Sequence, residues 1–239
     1  MTSILNQLTR VDEDEIEDLV VELLDTRRTI SVGFLNQYGY NLIEKNRQTR
    51  DSFFQLDYLL RDGKGIEIAC RYHKLEPKAN LNGTDFIPLL ISSALKSNKQ
   101  LRFFAYGTCE PWLKTGAKNL FRSRDFLSLD GFLSESDYVQ HYLRHVDENR
   151  LNIIVLAMGM PKQERVAQLI KEASDAPTII VCGGAIIDFQ AGRFTRAPEI
   201  FQQMGLEWLY RLFLEPKRLF KRYVIGIPVF IYNVMYCGK

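Results

Sequence analysis

Residues 152–164, NIIVLAMGMPKQE, hold a short apolar run that ends in a turn at Gly159. Residues 178–185, TIIVCGGA, repeat the arrangement with a turn at Gly183 and Gly184. Short runs rich in β-branched residues are typical of strands buried in a parallel sheet, whose carboxyl ends meet at the edge where ligands usually bind. We therefore expect the two turns to lie side by side at a binding site, although ordinary strand-to-helix turns would show the same pattern.

Strand-like and helix-like patterns alternate along most of the chain, which predicts an α/β fold with a parallel sheet covered by helices on both faces. This alternation ends near residue 195. We therefore expect a core over 1–195 that begins with an acidic helix, and a basic aromatic appendage over 196–239. Thr84 or Asp85 is available as the N-cap of one helix. The predicted strands are 29–35, 101–105, 126–129 and 178–182, the predicted helices are 11–25, 38–60, 86–96, 110–120 and 135–146, and a strand–turn–helix unit spans 152–173.

The composition is that of an ordinary soluble domain, with 46% hydrophobic and 25% charged residues in a chain of 239. A net charge of +2 is too close to neutral to indicate nucleic acid, so we expect no nucleic-acid partner. The charge is uneven, because residues 206–239 hold six Lys and Arg against two Glu, which points to a local negative partner such as phosphate or an anionic membrane surface. Four widely spaced cysteines without a CxxC pair predict reduced thiols in a cytoplasmic protein.

Two short motifs offer groups for acid–base chemistry or ligand binding. Asp62, in RDGKG at 61–65, can take a proton from a hydroxyl if it lies at the ligand edge of the sheet, or can bond the backbone of its own turn. Gln163 both donates and accepts hydrogen bonds and therefore suits a polar ligand edge. Glu164 suits the same ligand site or an ordinary helix cap.

The glycine block at 183–192, GGAIIDFQAG, also excludes some functions. It is neither GxGxxG nor GxxxxGK[ST], so the usual support for a dinucleotide site or a P-loop is missing. The block contains no Asp-x-Asp that would clamp a metal ion and a diphosphate, and we expect neither metal nor cofactor. A phosphorylated ligand would then depend on helix N-termini and on Arg or Lys side chains.

The segment 206–223 interleaves basic and aromatic residues, which is typical of a helix lying on an anionic bilayer. Arg211, Arg218 and Arg222 are seven and four residues apart and would align on one face of a continuous helix. Pro216 interrupts that helix, so we expect two short pieces. The uncharged stretch that follows, up to residue 236, is too short to span a bilayer and either enters its interface or packs on the core.

Several blocks together resemble the WecG/TagA/CpsF family of bacterial glycosyltransferases over roughly residues 30–223. The most specific are GMPKQE at 159–164, the block at 183–192, and residues 196–211, which begin RAP and end GLEWLYR. The resemblance implies a Rossmann-like core and an inverting, metal-independent transfer from a UDP-sugar to a lipid-diphosphate-linked saccharide acceptor at the inner face of the cell membrane. Members of the family build exopolysaccharide, capsule, teichoic acid or enterobacterial antigen, some of them as N-acetylmannosaminyltransferases.

The resemblance also implies roles for individual residues. Asp62 falls where the family places its proposed catalytic base, and Gln163 falls in the nucleotide-sugar pocket. Basic residues of the appendage would stabilise the leaving diphosphate. The competing classes are a non-catalytic nucleotide- or lipid-binding protein, and a nucleotide-dependent oxidoreductase that the missing dinucleotide fingerprint disfavours. The predicted substrate-binding residues are Asn36, Thr84, Asp85, Gly107, Gly159, Gln163, Glu164, Gly183, Gly184, Arg211, Arg218, Lys221 and Arg222.

Overall fold

A computed structural model describes residues 3–198, 201, 204 and 206–237, without the side chain of Arg218. Its strands are β1 Thr29–Leu35, β2 Tyr58–Arg61, β3 Leu101–Gly107, β4 Leu127–Leu129, β5 Leu151–Ala157 and β6 Thr178–Cys182. They form one parallel sheet in the order β2-β1-β6-β5-β3-β4. All six carboxyl ends therefore lie at the same edge.

Helices follow most of the strands. Those before the C-terminal region are α1 Ile16–Leu24, α2 Gln37–Lys45, α3 Arg47–Phe54, α4 Lys64–Tyr72, α5 Gly83–Lys96, α6 Trp112–Phe121, α7 Glu135–His145, α8 Lys162–Ala173 and α9 Ile186–Gln190. The C-terminal region holds α10 Glu207–Leu214, α11 Pro216–Phe220, a π-helical turn at Lys221–Ile225, and α12 Gly226–Tyr236.

Both faces of the sheet are covered by helices. Ile153 and Val155 of β5 face the core formed with α1, α5 and α6, whereas Ile154 and Leu156 face the core formed with α7 and α8. Every residue of β1, β5 and β6 is buried, as expected of central strands in a parallel sheet. The predicted Rossmann-like α/β arrangement with C-terminal helices is confirmed.

The C-terminal helices pack against α2. The ring of Phe230 in α12 meets Tyr40 edge-on at a centroid distance of 5.4 Å, and Asn41 donates a hydrogen bond of 2.7 Å to the carbonyl oxygen of Gly226. The helix breaks before Pro216, as the sequence predicted. None of the helices in the described ranges is both long and apolar enough to cross a bilayer.

Two local predictions are wrong. Residues 38–60 form two helices and then strand β2, because the adjacent Leu59 and Leu60 point to opposite faces of the sheet and fill different cores. The N-cap of α5 is Asn82, whose side-chain oxygen accepts from the Asp85 N–H at 3.1 Å; Thr84 and Asp85 lie inside the helix. At Leu59 and Leu60 the apolar neighbours fit either a strand or a helix, so the sequence pattern alone did not distinguish the two.

Gly116 allows α6 to approach α9, because a Cβ at this position would lie 2.1 Å from the carbonyl oxygen of Ile187. Gly116→Ala is expected to lower the free energy of unfolding by about 1–3 kcal/mol, since the backbone must move apart. Gly226→Ala is the control, because its nearest atom is 3.6 Å away. That variant should be neutral or more stable by up to about 1 kcal/mol. Equal urea-denaturation midpoints for the two variants would contradict the close packing.

Candidate active site

A cavity of about 610 Å³ lies along the carboxyl ends of the strands. Each strand contributes residues that follow its last position, so the cavity crosses the whole width of the sheet. In the order of the strands from β2 to β4, these residues are Asp62, Asn36, Gly183 and Gly184, Gly159, Thr108, and Gly131 with Phe132. The two glycine turns lie in the middle, side by side.

Asp62 is fixed at one end of the cavity. Its N–H donates to the carbonyl oxygen of Leu35 at 2.9 Å, which extends the pairing of β1 with β2. The Asn36 amide donates to the Asp62 carboxylate at 3.2 Å. Asn36 is also the N-cap of α2, and its oxygen accepts from the backbone N–H groups of Tyr38 and Gly39. Because the cap occupies the oxygen, the amide nitrogen is the end that faces the carboxylate.

The protonation of Asp62 depends on opposing effects. Burial raises the pKa of its carboxyl above the ordinary value and is the largest effect. The hydrogen bond from Asn36 lowers that pKa, as do the positive charges of Arg222 and Arg211 from the C-terminal helices. A carboxyl with a raised pKa beside guanidinium groups is a suitable acceptor for a proton from a bound hydroxyl.

Arg211 and Arg222 both line the cavity. The guanidinium of Arg222 lies 4.7 Å from the ring centre of Tyr38, and that of Arg211 lies 5.4 Å from the ring centre of Phe189. Contact with an aromatic face leaves N–H donors of a guanidinium available. The buried Nε of Arg222 has no hydrogen-bond partner among the described residues. These two cations can therefore receive an anionic ligand.

The other predicted basic residues are placed differently. Lys221 is exposed and is not part of the cavity lining. The side chain of Arg218 lies outside the described residues.

Gln163 joins the two glycine turns. Its side chain is fully buried, its oxygen accepts from the Gly184 N–H at 3.0 Å, and its nitrogen donates to Glu164 at 2.8 Å. Gln163 lines the cavity, but its amide is engaged by the protein. Glu164 lies behind it, outside the cavity lining, and burial raises the pKa of this carboxyl to about 7.

Three further predicted binding residues have distinct positions. Thr84 lines the cavity. Asp85 is exposed and forms a two-point ion pair with Arg196, with distances of 2.5 and 2.7 Å, and does not line the cavity. Gly107 does not line the cavity; it allows the ends of β3 and β5 to lie close together, because a Cβ there would lie 2.2 Å from the carbonyl oxygen of Ala157.

The structure adds residues at the β4 end that sequence reasoning did not select. The Thr108 hydroxyl donates to the Asp188 carboxylate at 2.6 Å, and Arg193 donates to both at 3.1 Å. Phe132 is 80% exposed at the cavity wall. Asp188 belongs to the glycine block and could have been found there, whereas a single Phe in a loop carries no pattern.

The WecG/TagA/CpsF glycosyl transferase family model matches residues 2–238, nearly the whole chain. The match includes all six strands and the C-terminal helices. It therefore covers both Asp62 and the two arginines that line the same cavity.

Arg222→Gln removes a positive charge that lowers the pKa of Asp62, so that pKa is expected to rise further. The carboxyl would then stay protonated up to a higher pH than in the parent chain. An NMR titration of the Asp62 side-chain carbon measures the change. Lys221→Gln removes the same charge from a residue outside the cavity and should leave the titration unchanged. An equal response of the two variants would contradict the placement of Arg222.

Proposed function

The chain belongs to the WecG/TagA/CpsF glycosyltransferase family, which serves cell-surface polysaccharide synthesis, and on that premise we propose that it is an inverting transferase. Its donor is a UDP-sugar, and its acceptor is a lipid-diphosphate-linked saccharide. The order of chemical groups along the sheet edge supports this proposal best: an aromatic residue at β4, two glycine turns in the middle, and a carboxylate at β2.

The dimensions of the edge suit an extended nucleotide sugar. Five strand spacings of about 4.8 Å separate β2 from β4 by roughly 24 Å. We place the base near Phe132, the diphosphate over the glycine turns and the sugar toward Asp62. Gly159 and Gly184 have φ values of +81° and +59°, and a Cβ at either position would have nothing within 4 Å. Their backbone is therefore open to close approach by a diphosphate.

The nucleoside end offers a hydrogen-bonding group. Thr108 and Arg193 both bond Oδ1 of Asp188. Among the described residues no hydrogen bond reaches Oδ2, so this oxygen is assigned to the ribose hydroxyls. The arrangement holds the carboxylate rigidly, as recognition of a diol requires.

In the proposed reaction Asp62 takes the proton of the acceptor hydroxyl as its oxygen attacks the anomeric carbon. The bond from that carbon to the diphosphate oxygen breaks, UDP leaves from the opposite face, and the anomeric configuration inverts. Negative charge grows on the leaving diphosphate, and its stabilisation contributes most to the rate. Arg211 and Arg222 carry that task, and activity is expected to persist in EDTA.

The same assignment gives the C-terminal region its function. We propose that residues 1–195 form the catalytic core and that residues 196–239 form an appendage that completes the active site. The appendage contributes Arg211, Glu215 and Arg222 to a cavity whose remaining lining residues come from the core.

Asp62→Asn is expected to lower turnover by a factor of about 10²–10⁴, the usual effect of losing a general base. UDP binding should be nearly unchanged, because Asp62 contacts the acceptor and not the nucleotide. Turnover is measured as UDP release with a panel of UDP-sugars and a lipid-diphosphate saccharide, and binding by calorimetry. Asp175→Asn, at an exposed residue before β6, is the control. Normal turnover in Asp62→Asn would reject the role of this residue.

The competing class is a non-catalytic nucleotide- or lipid-binding protein, and it differs from the proposed transferase in one measurable result. It would bind UDP or lipid without acceptor-dependent UDP release from any sugar donor. The panel of UDP-sugars therefore separates the two classes and identifies the donor, including the N-acetylmannosamine type.

We also propose that the protein binds peripherally to the inner face of the cell membrane through its C-terminal helices. Phe213, Phe220 and Ile231 are 75%, 53% and 52% exposed there. Lys217 and Lys221 are exposed on the same segment. Exposed aromatic and aliphatic side chains next to lysines are typical of interfacial helices on anionic lipid.

The double change Lys217→Glu and Lys221→Glu is expected to weaken binding to phosphatidylglycerol-containing vesicles at least tenfold, since each basic residue near an anionic surface contributes about 1 kcal/mol. Vesicle co-sedimentation measures the loss. Lys114→Glu with Lys118→Glu, exposed residues of α6, is the matched control. Equal losses in both double variants would show that total charge alone, and not this surface, determines binding.

A further inference from the structure

The loop between β4 and α7 holds Phe132 in an exposed but well-supported position. The Gly131 N–H donates to the carbonyl oxygen of Thr108 at 2.7 Å. The Tyr138 hydroxyl donates to the carbonyl oxygen of Asp130 at 2.7 Å and accepts from the N–H of Leu133 at 3.2 Å. The backbone on both sides of Phe132 is thus tied to β3 and α7, although β4 before it has only three residues.

Lys162 of α8 also binds the loop that carries Phe132. Its ammonium donates to the carbonyl oxygens of Gly131 and Leu133, at 2.9 and 2.5 Å, and lies 5.1 Å from the ring centre of Tyr138. No carboxylate of the described residues lies within ion-pair distance of it. Ordering a lysine side chain on two neutral carbonyls costs conformational entropy, and no ion pair within the described ranges offsets that cost. We therefore looked for a functional role of this contact.

Lys162 also has a distinctive place in the fold. It is the first residue of α8, directly after the turn that contains Gly159. Its side chain therefore joins the turn assigned to the diphosphate with the loop beside the nucleoside end. Arg165, in the same helix turn, instead pairs with Glu135 at 2.6 Å and holds α7 against α8 without contacting the loop.

We infer that Lys162 is a positioning residue that holds Phe132 as a rigid shelf for the nucleobase. The inference rests on the proposed function, which supplies the nucleotide. Lys162 holds the carbonyls on both sides of Phe132, so the backbone that carries the ring is ordered before ligand arrives and less entropy is lost on binding. An aromatic side chain presented in this way can stack with the flat face of a base.

The test compares Lys162→Met with Phe132→Ala and with the double variant, using calorimetric affinity for UDP. Phe132→Ala should weaken UDP binding about tenfold, within the range for one lost base stack, and Lys162→Met should approach that loss. The double variant should bind no more weakly than Phe132→Ala, because both changes remove the same shelf. Arg165→Met, the matched control, should stay within about twofold of the parent protein.

Two further readouts separate positioning from general stability. Lys162→Met should speed hydrogen exchange at the Gly131 N–H without ligand, and should raise KM for the donor with kcat changed less than about twofold. Lys162→Gln, whose side chain is shorter and carries no positive charge, should give an intermediate loss and serves if the Met variant does not fold.

Additive losses in the double variant, or unchanged UDP affinity in Lys162→Met, would overturn the inference and leave the proposed function intact. Parent protein that does not bind UDP would overturn both. In that case faster hydrogen exchange at Gly131 in Lys162→Met would still show that Lys162 holds the loop. The error would then lie in assigning a nucleotide to the cavity.

Discussion

The pairing of β5 with β6 is the constraint on which the site depends. It continues beyond the strands, because the Gly183 N–H donates to the carbonyl oxygen of Leu156 at 2.7 Å. The side chain of Gln163 then accepts from the N–H of Gly184, so the two turns are joined by backbone and by side chain. The cost of this connection is a buried carboxyl, Glu164, whose pKa burial raises to about 7. The result is a rigid surface of accessible backbone at the middle of the edge.

Helix α2 connects the two halves of the proposed chemistry. Its N-cap, Asn36, orients the Asp62 carboxylate, and the next turn carries Tyr38, on which the Arg222 guanidinium rests. Further along, Tyr40 receives Phe230 of the last helix. The position of the proposed base and that of Arg222 are therefore both set by this one short helix. In the proposed reaction this matters because proton removal and charge stabilisation must occur at the same bond.

Much of the edge was predictable from particular residues. Glycines after buried apolar runs, as at Gly159 and Gly183, identify turns at the carboxyl ends of parallel strands, and these ends must share one edge. Contacts within the edge were less accessible to sequence reasoning. The residue type of Gln163 indicates hydrogen bonding but not whether the partner is a ligand or Glu164. Likewise Asp85 suits a ligand site by type, yet its partner Arg196 comes from a distant segment.

The sequence by itself determined the α/β class, the two glycine turns, the break at Pro216 and the concentration of basic residues near the C terminus, because each follows from local periodicity and backbone chemistry. Only the tertiary structure decided that Asp62, Arg211 and Arg222 line one cavity, that Lys162 binds the loop of Phe132, and that Leu59 and Leu60 belong to a strand. These outcomes depend on which distant surfaces bury one another. That choice is made by packing across the sheet and has no signature in the spacing of neighbouring residues.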